Sequence, residues 1–382
     1  MRRVDVRDLS PGDRIGQDVL ATVGALPLLR AGVRVSDQLK RSLERAGITS
    51  VWIDDDLSAG IEPSEQLSEA TKQQTVAAIR EAFLDPSKQL KRTPSLSDRA
   101  VADMQEAVER MVQDVMSNAD VAIALNDLAN ADAYTLKHSL SVATLGLALG
   151  ARVMQTFGWV DAKGARRLDS VAARLPALGL GLILHDIGKV AIPREILHKP
   201  SPLTEEEMAV VRKHPMIGVQ MLQRADISPL TRAVVREHHE RWNGNGYPDR
   251  KAGADIHQFA RVAAVADVFD ALASDRVYRA GDPVNEVYDF IISRTEIDFD
   301  PEVVSVFRAS VAPYPTGTSV VLSDGAKGIV SAVHEKAVTT PVVRVLVDGS
   351  GAAVAPREVD LSKSPALTIT SVCAGNPFKT FA

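Results

Sequence analysis

Cysteine is nearly absent from this chain: Cys373 is the single one among 382 residues. That excludes an internal disulfide and any cysteine-rich zinc site, and it fits a reducing compartment. Aromatic residues make up only 4%, too few for a platform on which single-stranded bases would stack. Lys and Arg total 44 against 49 Asp and Glu, giving a net charge of −5, and no basic run stands out. A nucleic-acid duplex is therefore not an expected partner, because neutralising its phosphates takes a basic face. A local basic pocket stays open. The longest apolar run in the text, Leu175 to Leu184, is too short to cross a bilayer. The opening text MRRVDVRDLSPGD lacks the apolar stretch of a signal peptide. These absences point to a cytoplasmic protein with no membrane insertion.

What is present is a patterned, mainly α chain. Residues 1–60 read as a small α+β module. Strand-like stretches run from Val4 to Leu9 and from Ile15 to Val23, with Ser10-Pro11-Gly12-Asp13 as the turn between them. Ser36 can cap a helix bearing Leu39, Leu43 and Ile48, and Ser50 to Ile53 reads as a short strand. Residues 61–120 read as helical linker. A helix is expected around Thr71 to Leu84, then a connecting stretch over Lys91 to Leu96. A second helix follows from Ser97, with Met104, Val108, Met111 and Val115 on one stripe for core or dimer packing. Residues 121–312 are almost wholly helical in pattern. Residues 313–382 are β-rich, with runs at Ser319 to Leu322, Lys327 to Val330 and Val342 to Val347. Asp324-Gly325 and Asp348-Gly349 are the turn signals of this small, barrel-like tail.

The histidines carry the chemistry. There are eight, and six lie between His138 and His239. Five of them, His138, His185, His214, His238 and His239, fall on or beside expected helices. With Asp186 and Asp267 they form a set of imidazoles and carboxylates, the donors of borderline divalent metals. Seven such groups exceed the needs of one tetrahedral ion and suit two ions side by side.

Each position also has a plainer reading. His138 tops an apolar stripe of Val142, Leu145 and Leu149, where a lone histidine is more often a satisfied core residue. His185-Asp186 ends an apolar run, and adjacent helical side chains diverge by about 100°. That divergence suits a carboxylate bridging two ions while the imidazole binds one. Lys189 then places an ammonium beside the centre, ready for a phosphate oxygen. His214-Pro215 interrupts a helix that starts at a Thr204/Glu207 capping box. His238-His239 closes a helix begun by Ser228-Pro229, or is a surface doublet. Glu240 is placed to orient an imidazole as an outer acceptor.

The loop Arg241-Trp242-Asn243-Gly244-Asn245-Gly246-Tyr247-Pro248 repeats Asn-Gly turn chemistry yet also carries Arg, Trp and Tyr. Arg241 and Tyr247 are expected to face whatever the metals hold. Asp267 lies in an apolar helix and needs a partner or a metal, with Asp270 one turn on as a structural candidate. Arg276 and Arg279 share a face suited to bidentate phosphate contacts; a solvated basic face is the alternative.

Together these segments resemble the HD-GYP family of cyclic di-GMP phosphodiesterases, an all-helical HD-type hydrolase fold, over about residues 130 to 310. The matching text runs from Tyr134-Thr-Leu-Lys-His138 to His185-Asp-Ile-Gly-Lys189, His214-Pro215 and His238-His239-Glu240-Arg241. It continues through Gly246-Tyr247-Pro248, Ala266-Asp267-Val-Phe-Asp270 and Asp275-Arg276 to Tyr278-Arg279. The resemblance implies that His138, His185, Asp186, His214, His238, His239 and Asp267 are metal ligands, with Asp186 bridging. It implies that Lys189, Tyr247, Arg276 and Arg279 handle the substrate. Some relatives use a glutamate one turn before the first histidine for a third metal; Tyr134 stands there, so two ions are expected, iron or manganese.

The implied reaction is cleavage of cyclic di-GMP to pGpG, with GMP as an open second product, by a hydroxide shared between the ions. Asp186 and Lys189 are its central residues. Rival readings are a catalytically silent cyclic di-GMP sensor or interaction module, and an HD hydrolase acting on another nucleotide. A homodimer and signalling-protein partners are left open. Two departures from the family pattern are an apparent insertion over Lys163 to Pro176, expected to reshape the site or a dimer contact, and Asn243 in place of an aspartate.

Overall fold

The computed structural model describes residues 1–20, 27–63, 65–84, 96–118, 122–123, 134–161, 165–223, 226–274, 281–373 and 375–378. In the N-terminal module, strand β1 (Arg2–Asp5) pairs antiparallel with β4 (Ser50–Ile53), Arg2 opposite Ile53, and β2 (Val19–Leu20) pairs with β3 (Pro27–Leu29). Helix α1 (Asp37–Arg45) starts at Ser36, whose Oγ accepts from the Leu39 amide. The first strand is shorter than its apolar pattern suggests. Asp5 accepts the amide of Arg7 and starts a 3₁₀ turn at Val6, which ends the pairing. Val4, Leu9, Ile15, Leu43 and Ile53 close a small core. Residues 21–26, the end of the expected second strand, lie outside the described residues, as does most of the expected linker over residues 91–96.

Helices α2 (Glu69–Leu84) and α3 (Asp98–Ser117) pack on each other. Ser97 caps α3, accepting from the Ala100 amide. Met104, Val108, Met111 and Val115 are all buried within this chain. Their stripe faces α2 and a later helix, so its core reading holds and it is not free for a partner. Helix α4 (Tyr134–Phe157) is the spine of the helical body. It is a longer apolar helix than its sequence suggests: Thr135–Phe157 has the length and hydropathy of a membrane span, and most of it is buried inside the fold. Packing here makes it a core helix.

After α4 come a two-stranded hairpin, β5 (Trp159–Val160) with β6 (Arg166–Arg167), and helix α5 (Leu175–Leu184). The hairpin belongs to the apparent insertion. Trp159 Nε1 donates to Asp169 O at 2.7 Å, and Arg174 lies 4.1 Å from the indole centroid. The hairpin leaves the far end of α4, roughly 28 Å along the helix axis from His138. It therefore lies away from the candidate site, against the first of the two roles expected for the insertion.

Short helices α6 (Arg194–Leu197), α7 (Glu205–Val211) and α8 (His214–Met221) follow. The capping box is present: Thr204 Oγ1 accepts from the Glu207 amide, and Glu207 Oε2 accepts from the Thr204 amide. The body is completed by α9 (Pro229–Glu237), α10 (Gln258–Ala273), α11 (Val284–Ser293) and α12 (Pro301–Ser310).

The C-terminal strands are β7 (Ser319–Leu322), β8 (Lys327–His334), β9 (Ala337–Val347), β10 (Ala353–Asp360) and β11 (Ile369–Val372), in the antiparallel order β10-β9-β8-β7-β11. The order has two edges, β10 and β11, so among the described residues it is an open sheet and not a closed barrel. The sequence reading missed both edge strands, whose exposed faces carry little apolar signal. The chain ends meet: Arg2 is buried, pairs with Asp55 and Asn376 at 2.8 Å each, and lies 5.5 Å from the Phe378 ring centroid. Ile61, Ile329, Leu346 and Phe378 pack beneath.

One contact in the helical body sets the site. The turn after α5 crosses α8 so closely that a Cβ on Gly188 would meet His214 O at 2.0 Å. Gly188→Ala is expected to drive His185 and His214 apart and to lower stability by about 1–3 kcal/mol, the usual cost of overpacking. Urea unfolding of the two proteins measures it; an unchanged midpoint would refute the close-crossing argument.

Candidate metal centre

Five imidazoles and two aspartates predicted from the sequence come together in one buried cluster. They arrive from five helices or helix ends. His138 lies in the second turn of α4, Asp267 inside α10, His185 and Asp186 just past α5, His214 at the start of α8, and His238 and His239 just past α9.

Three of the rings are fixed by one device. His185 Nδ1 donates to Leu182 O at 2.7 Å, His214 Nδ1 to Val211 O at 2.8 Å, and His238 Nδ1 to Val235 O at 3.1 Å. In each case the acceptor is the carbonyl three residues earlier, near a helix end where carbonyls lack amide partners. A carbonyl can only accept, so Nδ1 carries the hydrogen and Nε2 is the free ligand atom.

Those Nε2 atoms converge on Asp186. Its Oδ2 lies 3.4 Å from His185 Nε2 and 3.7 Å from His138 Nε2. Its Oδ1 lies 3.3 Å from His214 Nε2 and 4.0 Å from His238 Nε2. The carboxylate thus stands between two sets of donors: His138, His185 and Asp186 in one, and Asp186, His214, His238 and His239 in the other. Asp267 closes the ring, with Oδ1 3.1 Å from His138 Nε2 and Oδ2 3.7 Å from His239 Nδ1.

The donor set fits divalent cations on two observations. Asp186 Oδ1 is buried and makes no hydrogen bond, a cost that a cation removes. His214 Nε2 and His238 Nε2 stand 3.2 Å apart, and with both rings protonated at Nδ1 their lone pairs repel unless a cation lies between them.

The electrostatics agree. Burial pushes His238 and His239 well below the usual imidazole range, helped by neighbouring imidazoles, so both are neutral and ready to ligate. Burial would lower His138 too, but its contacts with Asp267 and Asp270 win and hold it at about 10. For Asp186 burial is opposed and outweighed by Lys189 and His185, and for Asp267 by His138 and His239; both carboxylates sit well below their ordinary range.

Asp270 emerges as an outer partner. Its Oδ2 accepts from His138 Nδ1 at 2.7 Å and its Oδ1 from Ser274 Oγ at 2.9 Å. The signal was in the sequence, a second aspartate one turn after Asp267 in an apolar helix. Lys189 Nζ lies 2.6 Å from Asp186 Oδ2, beside the centre as expected.

The loop after His239 covers one side. Tyr247 stacks on His239 with centroids 4.7 Å apart and planes 29° apart, and the Tyr247-Pro248 bond is cis. Gly246 lets the loop close, since a Cβ there would sit 2.4 Å from the Arg241 amide nitrogen. Burial and the charges of Asp267 and Asp186 push the Tyr247 phenol up.

Two expectations change here. Glu240 orients no imidazole: its carboxylate accepts the amides of Asp249 and Lys251 at 2.7 and 3.1 Å and fixes the loop. Arg241 turns its Nη1 to the carbonyls of Glu240 and His238 at 3.0 and 3.4 Å, with the guanidinium 6.0 Å from the Phe299 ring centroid. It braces the loop. Glu237, which the sequence reading passed over, does likewise through Lys251 Nζ and the His257 amide at 2.6 and 2.8 Å. Asn243 Oδ1 accepts the Asn245 amide in a tight turn, at a distance from any ligand role. Arg276 and Arg279 lie outside the described residues.

Residues 148–303 match the family model described as HD domain, and residues 319–381 the one described as KOW domain associated with HD domain. Among curated proteins, the chain is 34% identical over 265 residues to a cyclic di-GMP phosphodiesterase of Pseudomonas aeruginosa, covering 69% of this chain and 60% of that protein. It is 35% identical over 158 residues to a cyclic di-GMP phosphodiesterase of Thermotoga maritima, covering 41% and 43%. It is 39% identical over 125 residues to a 3′3′-cGAMP-specific phosphodiesterase of Vibrio cholerae, covering 32% and 24%. The chain spans 60% of the length of the first of these relatives.

Two outcomes test the centre. Asp270→Asn is expected to weaken divalent-metal binding about 10- to 100-fold, because the His138 ring loses its carboxylate anchor. Since the metal-free His138 holds its proton up to about 10, metal must displace that proton. Affinity should rise as pH increases from 6 to 9, about one proton leaving per His138 ligated. Calorimetric metal titrations in buffers of different ionisation enthalpy measure both; affinity flat across that range would contradict the assigned role of His138.

Proposed function

We propose, for a chain that belongs to the HD-GYP family of HD-domain proteins, that it hydrolyses a 3′–5′ phosphodiester of cyclic di-GMP to give pGpG at a pair of divalent ions. The observation that carries this reading is Asp186, a buried carboxylate whose two oxygens face two separate histidine sets. One ion would be held by His138, His185, Asp186 and Asp267, the other by Asp186, His214, His238 and His239. Iron and manganese both suit this imidazole–carboxylate set. When bound, such ions supply a nucleophilic water at neutral pH and take up charge on the phosphoryl oxygens.

The chain's own groups do the rest. Lys189, 2.6 Å from Asp186, keeps an ammonium where a phosphoryl oxygen gathers charge. Tyr247, its phenol pushed up by burial, stays protonated and offers a hydrogen-bond donor over His239. Arg276 and Arg279 are assigned to the substrate by their place in the family motif. Arg241 acts at one remove, through the shape of the loop. The similarity to relatives named for cyclic di-GMP supports this substrate; one named for 3′3′-cGAMP makes that dinucleotide the comparison to run. The single cysteine supports a cytoplasmic setting.

Purified protein with Fe²⁺ or Mn²⁺ under reducing conditions is expected to turn cyclic di-GMP into pGpG, followed by HPLC, and faster than it turns over 3′3′-cGAMP. His185→Ala and Asp186→Asn should each leave less than about one hundredth of the activity, because loss of a ligand exceeds the cost of losing an outer partner. No linear product from the wild type with either metal would end the hydrolase reading.

A further inference from the structure

Most cations around the centre are engaged. Lys189 pairs with Asp186, Arg241 with backbone carbonyls, and Lys199 with Glu207 at 2.6 Å. Arg212 is different. It is exposed, and its guanidinium makes no hydrogen bond or ion pair among the described residues. Its Cζ lies 5.9 Å from the Tyr247 ring centroid, and Tyr247 stacks on His239. The guanidinium therefore stands at the mouth of the centre, one aromatic ring away from a candidate ligand.

Its backbone is fixed. Arg212 occupies the short break between α7 and α8, two residues before His214, and its amide donates to Met208 O at 2.9 Å. The acid nearest in the preceding turn, Glu207, is held by Lys199 and the Thr204 amide. The ring contact is at the outer limit of a cation–π interaction, which at exposed sites contributes only about 0.5–1 kcal/mol. Structure alone gives this arginine little to do.

We propose that Arg212 holds the second, uncleaved phosphate of a bound cyclic dinucleotide. The inference rests on the phosphodiesterase reading. A cyclic dinucleotide carries two phosphates, and when one is at the metals the other is a second anion that needs cations of its own, Arg212 in addition to the Arg276 and Arg279 already assigned to the substrate. A free guanidinium at the mouth binds it bidentately. The consequence is selectivity for a ring with two phosphates over a diester with one.

The test compares wild type, Arg212→Met and Arg212→Lys in the full, metal-loaded chain. The substrates are cyclic di-GMP, 3′3′-cGAMP, cyclic di-AMP and bis(p-nitrophenyl) phosphate, a probe with one phosphate. Arg212→Met is expected to raise KM about 10- to 100-fold for all three dinucleotides, the loss of a charge-assisted hydrogen bond. KM for the one-phosphate probe should change by less than about threefold. Arg212→Lys, a point charge, should fall between, and added salt should erase part of the difference.

Three results overturn the assignment: an unchanged KM, a loss confined to guanine-bearing ligands, which marks a base contact, or an equal fall in kcat on every substrate, which marks collapse of the Tyr247–His239 stack. Calorimetric binding of cyclic di-GMP separates the two readings. Binding without hydrolysis by the wild type overturns the enzyme, whereas equal affinity of wild type and Arg212→Met overturns the role of Arg212.

Discussion

The burial of Asp186 is the constraint on which the rest of the helical body depends. A carboxylate removed from water costs roughly several kcal/mol even after relaxation, and this one has an oxygen with no hydrogen bond at all. No apolar packing compensates for that. What compensates is positive charge on both sides: Lys189 at 2.6 Å on one, and space framed by ring nitrogens that suits cations. The short approach of His214 Nε2 to His238 Nε2 and the pairing of His138 with two carboxylates follow from the same requirement. Without cations the cluster is a set of like-acting donors crowded together; with them each donor has a partner.

Helix ends are how the fold meets that requirement. A histidine placed just past the last turn can give its Nδ1 hydrogen to a carbonyl that the helix leaves unpaired. The chain does this at His185 and His238, and again at the break before α8 for His214. One interaction thereby satisfies a stranded acceptor, selects the tautomer and aims Nε2 inward. Gly188 then allows two of these ends to cross at backbone contact. The His-Pro step at 214–215 has the same logic: proline at the start of a helix loses no hydrogen bond, so a ligand can sit on the first residue of a new helix.

This explains what the sequence could and could not convey. The ligand set was legible because imidazoles and carboxylates are scarce in apolar helices and need a stated reason there, and the family motif tied the seven together. The helices were legible through capping residues such as Ser36, Ser97 and Thr204, whose side-chain bonds are local. What depends on distant contacts was not. Glu240 and Arg241 stood next to the ligands in the text but turn to loop amides and helix-end carbonyls, because unpaired backbone groups nearby compete for charged side chains. The edge strands β10 and β11 lack an apolar face on the solvent side. The meeting of Arg2 with Asn376 and Phe378 joins opposite ends of the chain and leaves no periodic trace.

The separation of cores follows from the same geometry. The ligands sit within the large helical cluster, whereas the N-terminal module has its own small core and shares another with the C-terminal sheet through Ile61, Ile329 and Phe378. The flanking modules therefore hold each other without contributing a ligand. The loop over the centre is instead tied to the helical body itself: Trp242 lies over Arg261, which pairs with the buried Asp300 at the start of α12. The Trp242 and Asn243 amides bond to the carbonyls of Asp298 and Ile297 just before it. A buried ion pair of this kind is costly to break, roughly 3–5 kcal/mol when one partner is lost. It fixes the loop, and with it Tyr247, to the same helical frame that supplies Asp267. The ring over His239 and the ligands beneath it are thus set by one rigid body.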